Sequence, residues 1–154
     1  METTVIAGFP CIGKSYAAKR LKDRGILAVD LESSVFHWNR FDDLIVPNPT
    51  FPHNYLEAIT NVIGKVSYVF LSTHEEVISA LIANGIKFKI VVPTISADYI
   101  KELKSRDTLD SKTVDKIIFN GGEWILNLKN IAEANGIELI TLKKNQHLID
   151  LCKS

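Results

Sequence analysis

The sequence predicts an α/β domain in which helices cover both faces of a parallel β-sheet. Short runs rich in β-branched residues alternate along the chain with longer segments whose apolar residues recur at helical spacing. Such alternation, with right-handed crossovers, is typical of a three-layer α/β/α architecture. The 154 residues, of which 46% are hydrophobic, suffice for a core without a metal or disulfide support. Since no repeat or linker interrupts the pattern, we expect a single domain over residues 1–154.

The expected elements follow one another in a regular order. Five strands are predicted, at residues 3–7, 26–30, 68–71, 88–92 and 137–142. Helices are predicted at about residues 14–24, 54–63, 75–83, 97–105, 113–134 and 146–151. The helix at 113–134 should be interrupted or bent near Gly121 and Gly122. Residues 31–52, which contain Pro47 and Pro49, should be irregular or only briefly helical. Ligands of such sheets bind beyond the carboxyl ends of the strands, so site residues are sought there.

Composition narrows the classes of partner. Lys plus Arg and Asp plus Glu number 18 each, so a nucleic acid is not expected as the main partner. It is not excluded, because a neutral protein can still focus positive charge in one cleft. Cys11 and Cys152 match neither a disulfide framework nor a metal-binding pair. No signal peptide follows Met1 and no apolar run approaches the roughly 20 residues that span a bilayer. We expect a cytoplasmic location and no membrane partner; the oligomeric state stays open.

The strongest motif is the segment GFPCIGKS at residues 8–15. It fits the pattern G-x-x-x-x-G-K-[ST] at every fixed position, with a predicted strand before it and a predicted helix after it. Glycines let such a turn aim its backbone N–H groups inward, and the helix presents its positive end to an anion. Lys14 is expected to reach the β- and γ-phosphates of a nucleoside triphosphate, and Ser15 to bind Mg²⁺. The alternative, a chance match on an ordinary strand–turn–helix corner, is disfavoured by this context.

The expected nucleotide contacts come from this turn and the first helical residues. They are Gly8, Cys11, Ile12, Gly13, Lys14, Ser15 and Tyr16. Cys11 could be a thiol activated by the helix N-terminus, but the pattern favours a small residue that fits the turn.

Further motifs extend the case beyond the turn. They are Asp30-Leu31-Glu32-Ser33-Ser34 after the second strand, NPTFPHNY at residues 48–55, Ser72-Thr73-His74, and residues 92–106. With them the chain resembles the P-loop kinases of the nucleoside-monophosphate-kinase type, and more narrowly small members carried by phages. The resemblance covers most of the chain, although only the phosphate loop is widely diagnostic. It implies the P-loop NTPase fold, a strand order 2-3-1-4-5, ATP as phosphoryl donor, and Mg²⁺. It also implies an acceptor-covering region at about residues 31–53 and a mobile lid at about 94–112.

One position departs from the family pattern. In many P-loop enzymes the strand corresponding to residues 68–71 ends in an aspartate that holds the magnesium shell, whereas here Ser72-Thr73-His74 follows. Either a hydroxyl suffices, with Asp30 supplying the charge through water, or phosphoryl transfer is impaired. Ser72 is kept as a candidate substrate contact.

Two carboxylates at the end of the second strand are candidates for the reaction itself. Asp30 and Glu32 could orient an acceptor or hold a metal-bound water, and Asp30 is expected to be both catalytic and a metal ligand. The alternative is that Asp30 only caps a short helix.

Two arginines are candidates for binding phosphate. Arg40 lies near Phe36 and Trp38, which could stack a base while Arg40 clamps an acceptor phosphate. Equally, the two rings could seal the core and leave Arg40 in water. Arg106 falls in the lid region, where an arginine spreads the charge of the transferred group; its neighbour Lys104 fits a solvated helix face.

These residues predict an ATP-dependent kinase acting on a nucleotide or nucleoside, with a (deoxy)nucleoside monophosphate as the favoured acceptor. Lys14, Asp30 and Arg106 are the expected catalytic residues. Two alternatives stay open. One is a protein that binds or sequesters a nucleotide without catalysis, which the missing strand-end aspartate favours. The other is a kinase acting on a hydroxyl of a nucleic acid, against which the neutral net charge argues.

Overall fold

The chain folds as an α/β protein with a five-stranded parallel sheet and a separate two-stranded hairpin. A computed structural model describes residues 2–32, 36, 38–41, 44–106 and 111–152, and describes only the backbone of residues 38–41. The strands are β1 Thr4–Gly8, β2 Ala28–Asp30, β3 Trp38–Phe41, β4 Leu44–Pro47, β5 Tyr68–Leu71, β6 Lys89–Val92 and β7 Leu139–Thr141. The helices are α1 Lys14–Asp23, α2 His53–Val62, α3 Glu75–Ala83, α4 Ala97–Lys104 and α5 Ser111–Asn135, followed by a 3₁₀ helix, Leu148–Leu151. The predicted α/β class with five parallel strands is confirmed.

The order of strands in the large sheet is β2-β5-β1-β6-β7, and every neighbouring pair is parallel. The strand numbers differ from the expected 2-3-1-4-5 because the two hairpin strands, β3 and β4, are counted along the chain but do not belong to the large sheet. Counted within the large sheet alone, the strands lie second, third, first, fourth, fifth. The centre of the sheet is β1, whose Ile6 is in register with Phe70 on one side and Lys89 on the other. The carboxyl ends of β2, β5 and β1 therefore lie side by side, which brings the segments that follow them to one edge.

The core lies around the three central strands. Their middle residues are fully or almost fully buried, as is typical of parallel strands covered on both faces. On α1, Ala17 and Leu21 are buried four residues apart, the spacing that places them on one face of the helix. This packing fixes the start of α1 against the end of β1, and so fixes the turn between them.

The hairpin β3–β4 was not predicted, because the prolines near it indicated irregular structure. Its strands pair antiparallel, with Arg40 opposite Ile45 and Trp38 opposite Pro47. Proline is tolerated there because it stands at the end of an edge strand. The expectation of an irregular or helical segment is therefore wrong for residues 38–41 and 44–47.

The expected interruption of the last long helix is also wrong. The helix α5 runs without a break through Gly121 and Gly122. A Cβ atom added at Gly121 would come within 2.9 Å of Ile95 Cδ1, so this glycine allows close packing against the segment after β6. Although α5 has 25 residues, no helix in the described part of the chain combines such length with the apolarity that crossing a membrane requires.

Candidate phosphate-binding site

The turn between β1 and α1 is tight and depends on unusual backbone conformations. Cys11 has φ 67° and Gly13 has φ 91°, values in the region that favours glycine. A Cβ atom added at Gly8 would come within 2.7 Å of Ile12 Cδ1 and 3.0 Å of Lys14 Cδ. Both fixed glycines of the motif are therefore required by the geometry of this turn.

Three neighbouring elements anchor the turn by hydrogen bonds. The N–H of Phe9 donates to the carbonyl of Val91 in β6, at 3.0 Å. The hydroxyl of Tyr99 in α4 donates to the carbonyl of Pro10, at 2.6 Å. The N–H of Leu148 donates to the carbonyl of Ile12, at 3.0 Å. The last two bonds are accepted by carbonyl oxygens of the turn, so they hold it in place without using its amide hydrogens.

The start of α1 has the properties of an anion site. The N–H of Ala17 donates to the carbonyl of Gly13 at 2.9 Å, so the N–H groups of Lys14, Ser15 and Tyr16 precede this helical bond. The first turn contains no acidic residue that would compensate the positive end of the helix dipole. Backbone amides and the dipole therefore act in the same direction, toward a negatively charged ligand.

Lys14 is folded back onto the turn. Its Nζ donates to the carbonyl of Gly8 at 2.8 Å. Burial lowers the pKa of Lys14, whereas the charges of Asp30 and Glu32 raise it; the positive charge of Arg106 lowers it again. The net shift is downward, which means that the ammonium lacks some of the stabilisation that water would give. An anion placed beside it would supply that stabilisation.

A hydroxyl and a carboxylate meet where α1 begins and β2 ends. Ser15 Oγ donates to Asp30 Oδ2 at 2.8 Å, and the pair is exposed. Both are oxygen ligands of the kind that Mg²⁺ prefers. No cluster of three or more His, Cys, Asp or Glu side chains suited to a metal occurs in the described ranges. A magnesium ion at this pair would take its remaining ligands from phosphates and water, as Mg²⁺ usually does.

Arg106 stands beside the turn, just after α4. Its guanidinium lies close enough to the thiol of Cys11 to act on the thiol's pKa, and Nη2 lies 3.8 Å from Glu102 Oε1. Burial raises the pKa of the Cys11 thiol, and this effect outweighs the opposing effect of Arg106. The thiol is thus kept protonated, which argues against an activated nucleophile and for a small turn residue.

A buried tyrosine joins the ends of β2 and β5. Tyr55 is 1% exposed; its hydroxyl donates to the carbonyl of Leu31 and accepts from the N–H of Ser72 at 3.4 Å. Burial raises the pKa of Tyr55, so the hydroxyl remains a donor at neutral pH. The segments after β2 and β5, which carry the candidate acceptor contacts, are thereby both held to helix α2.

Removing this hydroxyl should loosen that edge of the sheet. We expect Tyr55→Phe to lower the free energy of unfolding by about 1–3 kcal/mol, because the partly buried carbonyl of Leu31 and N–H of Ser72 lose their hydrogen bonds to the tyrosine hydroxyl. Chemical denaturation measures this change. Tyr16→Phe is the matched control, since Tyr16 is 56% exposed, and it should leave stability unchanged. Equal stability of the two variants would contradict the bridging role of Tyr55.

Two hydroxyls follow β5 and are buried. Neither Ser72 Oγ nor Thr73 Oγ1 has a hydrogen-bond partner within the residues that the structure describes, and Thr73 is 1% exposed. Burying an unpaired hydroxyl costs about 1–3 kcal/mol, so such groups call for an explanation. They follow the strand that in many P-loop enzymes ends in an aspartate.

The structure brings most of the predicted residues together. Gly8, Cys11, Ile12, Gly13, Lys14, Ser15, Asp30 and Arg106 surround one corner. Glu32 is exposed but close enough to act on the charge of Lys14. The side chain of Tyr16 points to solvent, so only its backbone N–H can serve a ligand. The side chains of Trp38 and Arg40, all of His37, and residues 107–110 of the predicted lid lie outside the described residues.

A groove adjoins the turn on the side away from Asp30. It lies between the connections that follow β6 and β7 and is lined by residues that include Thr94, Tyr99, Lys143, Gln146 and His147. His147 Nε2 is 3.8 Å from Glu102 Oε2, which links the 3₁₀ segment to α4.

The roles of Tyr55 and Tyr99 were missed from the sequence. Each lies in an apolar helical face, and a buried tyrosine there needs a partner for its hydroxyl. The sequence indicates that each tyrosine needs a partner. It does not indicate that the partner is a backbone carbonyl in another segment.

No protein-family model matches the chain, and no curated protein matches it. The function proposed below rests on the geometry of this corner.

Proposed function

We propose that this protein has the P-loop NTPase fold and is an ATP-dependent phosphotransferase acting on a nucleotide or nucleoside, with a (deoxy)nucleoside monophosphate as the preferred acceptor. The observation that carries the proposal is the anchored turn at residues 8–15, with Lys14 Nζ bonded to the carbonyl of Gly8 and with the N–H groups at the start of α1 preceding its first helical bond. The resemblance of this and the later motifs to nucleoside-monophosphate kinases supports the choice of acceptor.

The turn can hold polyphosphate with little rearrangement. Lys14 Nζ has only to exchange the carbonyl of Gly8 for phosphate oxygens, and a charge-assisted bond to phosphate is stronger than one to a carbonyl. The amides of Gly13, Lys14 and Ser15 supply further donors. The groove at Thr94 and His147 is where the nucleoside of the donor would extend.

The residues at the corner suit the electrostatics of phosphoryl transfer. Ser15 and Asp30 would hold Mg²⁺, which neutralises charge on the phosphates when it is bound. Arg106 adds a second cation beside the turn. Asp30 and Glu32 lie at the edge where an acceptor would approach; a carboxylate there orients an acceptor hydroxyl or, when the acceptor is itself a phosphate, organises the metal shell. Catalysis would come from positioning and charge stabilisation.

A second candidate function is nucleotide binding without catalysis. The observation that favours it is the end of β5, where Ser72 and Thr73 stand in place of a carboxylate. A site whose N–H groups and lysine bind phosphate, but which holds magnesium weakly, would bind a nucleotide without catalysing phosphoryl transfer.

One experiment separates these functions. Isothermal titration with ATP, GTP and their diphosphates would be run beside a coupled assay of ADP release over a panel of nucleosides, nucleoside monophosphates and oligonucleotides with free 5′-hydroxyls. The kinase predicts nucleotide binding together with ADP release that depends on one class of small acceptor. Binding with no turnover on any acceptor would support the binder, and release that needs oligonucleotides would move the acceptor to nucleic acid. Absence of nucleotide binding would refute both proposals.

The role of Asp30 can be tested separately from phosphate binding. We expect Asp30→Asn to lower kcat by about 100-fold or more, because the amide no longer supplies charge to the metal shell. Magnesium-free nucleotide binding should be unchanged or slightly tighter, since a negative charge near the phosphates is removed. Asp23→Asn, at the exposed far end of α1, is the control and should change neither quantity. If both variants kept wild-type kcat, Asp30 would have no part in the reaction.

A further inference from the structure

The outer face of α5 carries an unusual stripe of exposed residues. Phe119 is 81% exposed and Leu126 is 55% exposed, and they stand seven residues apart with the exposed Gly122 between them. Spacings of three and four residues extend the line along most of the helix. This stripe, called here the outer stripe, consists of Lys112, Asp115, Phe119, Gly122, Leu126, Lys129 and Glu133, and all seven residues are exposed.

The outer stripe is separate from the face that α5 turns to the core. The core side buries Ile117, Gly121, Ile125, Leu128 and Ala132. Single exposed hydrophobic side chains are normal on a protein surface. Two large ones aligned at heptad spacing are the pattern of a helix that packs against another helix. A Cβ atom added at Gly122 would meet nothing within 4 Å, so a second helix can approach closely at that point.

We propose that the partner is a second copy of this chain, docked antiparallel on the outer stripe with a two-fold axis near Gly122. In such a pair, residues equally far from the axis on its two sides face each other. Phe119 of one copy then packs against Leu126 of the other, and the symmetry forms this contact twice. The proposal does not depend on the proposed function.

The charges of the outer stripe favour a second copy of the chain as the partner and an antiparallel arrangement of the two helices. The same axis brings Lys112 of one copy opposite Glu133 of the other, and Asp115 opposite Lys129. All four residues are exposed and of opposite sign in each pair, so the stripe is complementary to itself when reversed. A parallel pair would set Lys112 against Lys112 and Glu133 against Glu133, and like charges that face each other disfavour it.

The size of the contact predicts a weak dimer. The stripe from Lys112 to Glu133 spans about 32 Å at 1.5 Å per residue, and only two large apolar side chains per copy lie in it. Interfaces at this lower end of the size range bind in the micromolar range, about 10–100 μM.

Sedimentation equilibrium tests the proposal. The wild-type chain should show a monomer–dimer equilibrium, and Phe119→Glu should weaken it by about 30-fold or more because the change enters the interface twice. Leu27→Glu is the control, because Leu27 is also exposed, at 53%, but lies outside the outer stripe; it should leave the equilibrium unchanged. A chain that stays monomeric up to about 1 mM would overturn the proposal, as would a dimer that Phe119→Glu does not weaken.

Charge exchange tests the antiparallel orientation. Lys112→Glu should weaken the dimer several-fold, because it faces Glu133 twice, and adding Glu133→Lys should restore it. Crosslinking gives a second measurement in a Cys152→Ser background treated with oxidised glutathione. Gly122→Cys, close to the axis, should form a disulfide between copies, whereas Lys129→Cys, about 20 Å from its counterpart, should not. The antiparallel orientation would be contradicted if the double variant did not restore the dimer, or if the disulfide formed at position 129 in place of 122.

Discussion

Lys14→Ala is expected to lower phosphoryl transfer by at least about 100-fold while leaving the protein folded. The ammonium lies inside the turn that would hold the phosphates, and its removal deletes a cation at the place where charge develops. Stability should change by no more than about 1 kcal/mol. The reason is that burial lowers the pKa of Lys14, which means that the ammonium is less well stabilised in the folded protein than in water; its removal relieves this cost and so offsets the lost bond to the carbonyl of Gly8.

The matched control for Lys14→Ala is Lys19→Ala on the same helix. Lys19 is exposed and lies one helical turn beyond the site, so its removal should leave ADP release unchanged. Turnover and thermal unfolding of the three proteins would be measured side by side. If Lys14→Ala keeps wild-type turnover, Lys14 does not act on the phosphates and the catalytic proposal fails.

Gly13→Ala is expected to weaken nucleotide binding by at least about 10-fold and to lower the free energy of unfolding by about 1–2 kcal/mol. Gly13 has φ 91°, so an added methyl group forces the backbone to relax and turns the first amides of α1 away from their common direction. Titration calorimetry with ATP measures the first effect, and chemical denaturation measures the second.

Gly25→Ala separates the loss of binding from the loss of stability. Gly25 has φ 80° at the far end of α1, and a Cβ atom there would meet nothing within 4 Å. Gly25→Ala should therefore lower the free energy of unfolding by a similar amount and leave the affinity for ATP unchanged. If the two variants bind ATP equally well, the backbone of the turn does not form the phosphate site.

The elements of the large sheet could be predicted because their signal is local. A strand such as β6 is a run of apolar β-branched residues, and the helix α3 ends before Asn84 and Gly85, as the sequence indicates. In the hairpin β3–β4 the local signal is ambiguous, since the short apolar run Leu44–Val46 ends at Pro47 and further prolines follow. Its pairing depends on a partner strand, which single-residue preferences do not reveal.

In the candidate site, too, some residues could be predicted from local patterns and others could not. Lys14 and Ser15 could be predicted from a motif with fixed spacing, and Asp30 from its place at the end of a strand. The hydrogen bonds of Tyr55 and Tyr99 go to backbone carbonyls of segments far away in sequence. Such contacts follow from how the helices pack on the sheet, and no pattern of residue types specifies them.

A crystal structure with Mg²⁺ and a non-hydrolysable ATP analogue tests the central claim most directly. The account predicts the β-phosphate over the amides of Gly13 to Ser15, with Lys14 Nζ moved from the carbonyl of Gly8 to phosphate oxygens. Density for the triphosphate elsewhere on the molecule, with Lys14 still bonded to Gly8 in a fully liganded protein, would contradict it.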